Sequence, residues 1–260
     1  MRIDGHTNLG LFPDTKNPNS KEQYTSVDDI VEYLTSQGIT HHICLYPYDG
    51  YHLLEELNQR LPGVTHIGLQ VLMGKDREHP TDIDNLQLDV SKPLCCGIKL
   101  ASHRGWWLRD GKVTSGLDYG EYANVIKKKI LDIIPDDFIC SFHTQGDYKP
   151  NGGATPVNVC YFASEYPKLK FIINHSGDYA HPRLTSKPKL YCTSKNKFKP
   201  GFRHAYSMSL IRMAAEFANN MHNVWLEGSI WSEHKAIALQ GCEKWIIGSD
   251  YPFGSKGYYY

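Results

Sequence analysis

The chain has 260 residues, is 41% apolar, and balances 28 basic against 28 acidic side chains. Balanced charge excludes a general nucleic-acid or anionic-membrane binder, whose attraction needs a basic surplus. No apolar run approaches the ~20 residues of a membrane helix, and the first residues lack a charged-then-apolar leader, so a cytoplasmic protein is expected.

In chain order, residues 1–6 read as a short buried strand ending at His6. Asn8 follows two residues later and shares its side, because strand side chains alternate. A polar connection runs to about Thr25. Ser26-Val27-Asp28-Asp29 reads as a capping box, Ile30, Val31 and Leu34 recur at helical spacing, and Gly38 ends that helix. Strands are predicted over 41–46, 65–73, 94–100, 138–142, 169–174, 224–227 and 244–248. Helices are predicted over 49–61, 82–89 and 118–130, from Thr155-Pro156 onward, over 208–218, and from a Ser232 cap to Gly241.

Eight strands thus alternate with seven helices. The strands are apolar without clean polar alternation, as in a parallel sheet buried on both faces. No Gly-x-Gly-x-x-Gly follows the first strand, so a single-domain (β/α)8 TIM barrel over 1–260 is expected rather than a dinucleotide-binding sheet. The last helix is missing from the count, since ten residues follow Asp250. A truncated form, a partner or the long first connection would account for the uncovered groove. The seven cysteines, none in a Cys-x-x-Cys, read as reduced and mostly buried thiols.

The informative pattern is positional. His6, Lys99, His143, His175 and Asp250 close strands 1, 4, 5, 6 and 8, so all five fall on one rim of the barrel. Neutral imidazoles with one carboxylate suit Zn2+ or a similar ion, and a carboxylate such as Asp250 can move a proton to the leaving group. Two long connections rise from the same rim. One, about 101–117, contains Arg104, Trp106 and Trp107; the other, about 178–203, begins at Asp178 and is strongly basic. A solvated loop and a site for an anionic substrate both fit the basic segment. Glu227 and Ser229 close strand 7 and so point toward the site or its margin.

Asp4-Gly5-His6-Thr7-Asn8, Gly97-Ile98-Lys99-Leu100, His143-Thr144-Gln145, Asn174-His175-Ser176-Gly177 and Gly248-Ser249-Asp250-Tyr251-Pro252 together resemble the amidohydrolase superfamily. The likeness is to its amidohydrolase-related branch of metal-dependent hydrolases, decarboxylases and lactonases. It implies one divalent metal, zinc or manganese, on His6, His143 and Asp250. It also implies catalytic roles for Asp250, His175 and Lys99. By position, Asn8, Arg104 and Asp178 are the expected substrate contacts, with a turn role equally open to Asp178. Asn8 departs from the pattern, because the second strand-1 histidine is absent. Some lactonases of the branch work without metal, so that loss is survivable.

The reading is a hydrolase of an ester, lactone or amide in a small, carboxylate-bearing substrate. Its rivals are a non-oxidative decarboxylase, a metal-independent lactonase and a non-catalytic binding barrel. The expected partners are a small-molecule substrate and a second copy of the chain, with neither nucleic acid nor membrane.

Overall fold

The computed structural model describes residues 1–10, 25–72, 87–100, 124, 126–144, 156–177, 202–229 and 239–251, without the side chains of 158 and 202–209. Eight parallel strands lie in sequence order: β1 (Ile3–Asn8), β2 (His41–Pro47), β3 (Thr65–Val71), β4 (Cys95–Leu100), β5 (Ile139–Phe142), β6 (Lys170–Ile173), β7 (Val224–Glu227) and β8 (Trp245–Ile246). The described α-helices are α1 (Val27–Gln37), α2 (Tyr51–Arg60), α3 (Pro156–Glu165) and α4 (Phe202–Asn220). The expected (β/α)8 barrel is what forms.

Side-chain alternation sorts each strand between two cores. Cys44 and Tyr46, Ile98 and Leu100, Cys140 and Phe142, Phe171 and Ile173, and Val224 and Leu226 face the helices. Ile43, Leu45, Leu69, Val71 and Ile172 fill the barrel interior. Lys99 pairs in register with Val71 and Ser141, so it too points inward. Glu227 alternates with the outward Leu226 and joins the interior.

Several expected boundaries moved, for reasons set by barrel closure. β1 extends through Asn8 instead of stopping at His6, because Asn8 N–H donates to Tyr251 O (2.9 Å) and Leu9 N–H to Leu45 O (2.8 Å). β8 shortens to two residues, yet the chain stays beside β1: Gly5 N–H donates to Ile247 O (2.7 Å) and Asp250 N–H to His6 O (2.9 Å). The helix expected over 118–130 is helical where it is described, α-helical at 124 and 126 and π-helical over Lys127–Leu131, and Ile126, Ile130 and Leu131 all pack against the barrel. Residues 87–89 are not helical. Most of the helix expected over 82–89, and most of that expected from Ser232, lie outside the described residues, as do the connection over 101–117, the connection from 178 as far as 201, and 252–260.

The α1 capping box forms as expected. Ser26 Oγ accepts from Asp29 N–H (3.1 Å), Asp29 Oδ2 accepts from Ser26 N–H (2.8 Å), and Gly38 turns left-handed at φ 62°. The six described cysteines are free, and all but Cys96 are buried. Among the described residues no helix is long and apolar enough to cross a membrane.

Between barrel and helices lies a buried histidine pair. His66 Nε2–H donates to Leu61 O (3.1 Å), so His66 Nδ1 accepts from His42 Nε2–H (2.6 Å), and His42 Nδ1 accepts from Thr7 Oγ1–H (3.0 Å). Burial, with His66 adding, pushes His42 down to about 3, and burial lowers His66. Both pKa values lie below the unfolded value of about 6.5, so the unfolded chain binds more protons as pH falls. The stability from this pair is fully present above pH ~6.5 and lost toward pH ~3, by up to about 1.4 kcal/mol per pH unit for His42. Denaturant unfolding between about pH 7 and about pH 5 should show this slope, and a His42→Gln/His66→Gln variant should show a shallower one. Equal slopes would count against it.

Candidate functional site

The site is organised by a residue that the strand-end pattern placed toward the site or at its margin, with no role assigned. The Glu227 carboxylate is fully buried inside the barrel at the end of β7. Its Oε2 accepts from His6 Nδ1 (3.0 Å), His175 N–H (3.1 Å), Asn174 Nδ2 (3.2 Å) and Ser229 Oγ (2.9 Å); Ser229 N–H donates to Oε1. Burial pushes its carboxyl up. The His6 imidazole, its hydrogen bond and the His175 contacts outweigh that and hold the group well below the usual carboxylate range. Gly248 makes the arrangement fit, since a Cβ there would collide with Glu227 Oε1 and His6 Cβ.

These bonds set the tautomers. An ionised carboxylate only accepts, so His6 carries its proton on Nδ1 and turns Nε2 toward Asp250, whose Oδ1 lies 3.3 Å away. Ser229 spends its single proton on Glu227, so His175 Nδ1–H donates to Ser229 Oγ (2.7 Å). His175 Nε2 therefore carries the lone pair and accepts from His143 Nδ1–H (3.2 Å). Both imidazoles thus have Nδ1 held from behind and Nε2 facing the site, the arrangement by which carboxylates and hydroxyls orient histidine ligands.

The backbone is equally constrained. His175, Ser176 and Gly177 follow one another in the left-handed region at φ 56°, 53° and 76°, and Asp250 sits at φ 56°. A non-glycine residue held there costs on the order of 1–3 kcal/mol, which the surrounding bonds must offset. Ser176 Oγ donates to Glu227 O (3.1 Å), and Thr144 Oγ1 donates to Asn174 O. At β1 the register shifts between Asp4 and Thr7. Asp4 Oδ1 accepts from His6 N–H (3.0 Å) and Ser249 N–H (2.8 Å), and Asp4 Oδ2 accepts from Tyr33 O–H (2.7 Å). That carboxylate pins His6 to both α1 and the segment carrying Asp250.

Asn8 faces the site as expected, but as a donor. Its Nδ2 binds Asp250 Oδ1 (3.1 Å) and Tyr251 O (2.9 Å), so it holds the carboxylate in place. Asp250 is raised by burial, with the Glu227 charge adding and His6, Asn8 and Lys99 opposing. Lys99 is 3% exposed, and its Nζ has no hydrogen-bond partner among the described residues. His143 is half-buried at the edge. The structure therefore gathers His6, His143, His175, Asn8 and Asp250, with Lys99 in the same interior; Arg104 and Asp178 lie outside the described residues. Ser229 and Glu227, both polar at the end of β7, carried the same positional signal as the five rim residues.

His6, His175 and Glu227 offer ligand atoms within 4.8 Å of one another, a spacing a metal ion could bridge. Four of the five hydrogen bonds to Glu227 fall on Oε2, and Oε1 takes one, from Ser229 N–H, so Oε1 keeps a lone pair. Beside this cluster, His6 Nε2 lies 3.3 Å from Asp250 Oδ1, and His143 Nδ1 lies 3.2 Å from His175 Nε2. Two or three imidazoles and one carboxylate suit zinc.

No protein-family model matches the sequence, and no curated protein is similar to it at the level of sequence. Among solved structures, it is similar to an amidohydrolase from Burkholderia multivorans with bound zinc, at TM-score 0.53 and 14% identity, over 97% of this chain and 84% of that one. A Burkholderia multivorans amidohydrolase with bound HEPES is similar at TM-score 0.52 and 13% identity, over 97% and 85%. The barrel has the amidohydrolase fold. In this amidohydrolase-like barrel the cluster occupies the C-terminal ends of β1, β5, β6 and β7 and the segment after β8, the face where barrels of this kind build sites.

Proposed function

We propose that this protein is a hydrolase of the amidohydrolase superfamily, cleaving an ester, lactone or amide bond of a small substrate with one divalent metal ion, zinc or manganese. The observation that carries the reading is the paired orientation of His6 and His175, each with Nδ1 held inside the protein and Nε2 turned to Asp250 or His143. Buried histidines kept for packing alone would not need a shared carboxylate hub and a strained backbone. The zinc in the Burkholderia structure of the same fold supports the ion.

The residues that would hold the metal are His6 and His175 with a carboxylate, Glu227 or Asp250, and His143 at the edge. When bound, such an ion supplies a Lewis acid and a more acidic water. The chain's own side chains do the rest. Asp250 accepts the proton of the attacking water and returns it to the leaving group. Asn8 keeps that carboxylate aimed by donating to Oδ1. Glu227 fixes the His6 tautomer, and Ser229 fixes that of His175.

Metal analysis of the purified protein, followed by titration of metal-stripped protein with Zn2+, tests the proposal. About one equivalent bound with Kd in the micromolar range or tighter is expected. No binding, together with lactone hydrolysis in the presence of chelator, would replace it with a metal-free lactonase. No binding and no turnover would leave a binding barrel.

A further inference from the structure

Among the described residues, Lys99 is the buried charged group that the hydrolytic reading leaves without a step. Its neighbours Ile98 and Leu100 face the helices, so its own side chain enters the barrel between Val71 and Ser141. There the amine makes no hydrogen bond or ion pair among the described residues, although every other interior polar group of the site is tied down. A lysine kept only for its charge would be closed onto Glu227 or Asp250, since an unpaired buried ammonium is costly.

We propose that Lys99 is a nucleophile that forms an imine with the carbonyl group of a small aldehyde or ketone. The Nζ lone pair adds to the carbonyl carbon as the C=O π pair moves to oxygen. A proton passes from nitrogen to that oxygen and gives a carbinolamine. The nitrogen lone pair then expels the oxygen as water, and C=N replaces C=O. The condensation consumes one amine and one carbonyl and releases one water, so it needs no oxidant or further reactant. The imine then draws electrons from bonds at the adjacent carbon, the activation used for proton abstraction, carbon–carbon cleavage or loss of CO2.

The environment raises the share of neutral amine, although the ammonium still predominates at neutral pH. Burial pushes Lys99 down to about 8, with the Glu227 and Asp250 carboxylates opposing. An exposed lysine such as Lys168 has no such environment, being 75% exposed and paired with Asp136 at 2.8 Å. The imine requires the polar interior of the barrel and does not depend on the metal.

Reductive trapping tests it. The protein is incubated with propanal and cyanoborohydride at neutral pH, and labelled lysines are mapped by peptide mass spectrometry over time. The expected result is that Lys99 gains a propyl group at least about tenfold faster than Lys168, and that the preference disappears in denaturant. An unlabelled Lys99 beside labelled surface lysines, or labelling at the Lys168 rate, would overturn the proposal. Metal titration is a separate measurement, so failure of the metal site and failure of the imine are told apart.

Discussion

Asp250→Asn is expected to lower turnover by about 10²–10⁴-fold on whichever ester, lactone or amide the wild type cleaves. The fold should survive, for three reasons. Asn keeps an oxygen for the Asn8 Nδ2 donor. It is among the few residues that tolerate the left-handed backbone found at 250. Burial already disfavours the Asp250 charge, so removing it relieves desolvation. The variant should therefore unfold within about 1 kcal/mol of wild type while losing the group that moves the proton. Steady-state rates and a denaturation curve on the same preparation decide the matter. A wild-type rate would sink every catalytic role assigned to this carboxylate.

Glu227→Gln should damage both stability and metal affinity. The carboxylate accepts from His6, His175, Asn174 and Ser229, and the amide turns one acceptor into a donor among those donors. Breaking such a buried set costs about 3 kcal/mol. His6 and His175 then lose the anchor that holds Nε2 forward, and zinc affinity should fall by about 10- to 100-fold. The folded pKa of Glu227 lies below the unfolded value of about 4.3, so its stabilisation is present above that pH and is lost as pH falls through the folded pKa. The gap between wild type and variant should thus be widest near neutrality and narrow below about pH 4. Zinc titration and urea unfolding read the two effects separately. Unchanged zinc affinity would show that Glu227 does not position His6.

Much of this site was legible in the strand count. His6, Lys99, His143, His175 and Asp250 were each the polar residue closing an apolar run, and the barrel puts them together. Asn8 was recognised as facing the site, but its orientation was not. Its residue type suggested a poorer metal ligand, whereas the structure shows its amide nitrogen on Asp250. Glu227 obeyed the same positional rule, yet nothing local distinguished a hub from a margin residue. The left-handed His175 and Ser176 gave no signal, because nothing in Asn174-His175-Ser176-Gly177 besides its last residue favours that conformation.

The sequence by itself determined the eight strands, their parallel class and the polar residues near their C-terminal ends, because apolar runs bounded by caps and breakers are local features. Tertiary structure alone decided what those residues do to one another. His6 meets Glu227 across 221 positions of chain, and Asn8 meets Asp250 across 242. Which imidazole nitrogen faces the site depends on hydrogen bonds that exist only once β8 returns to β1 and closes the barrel.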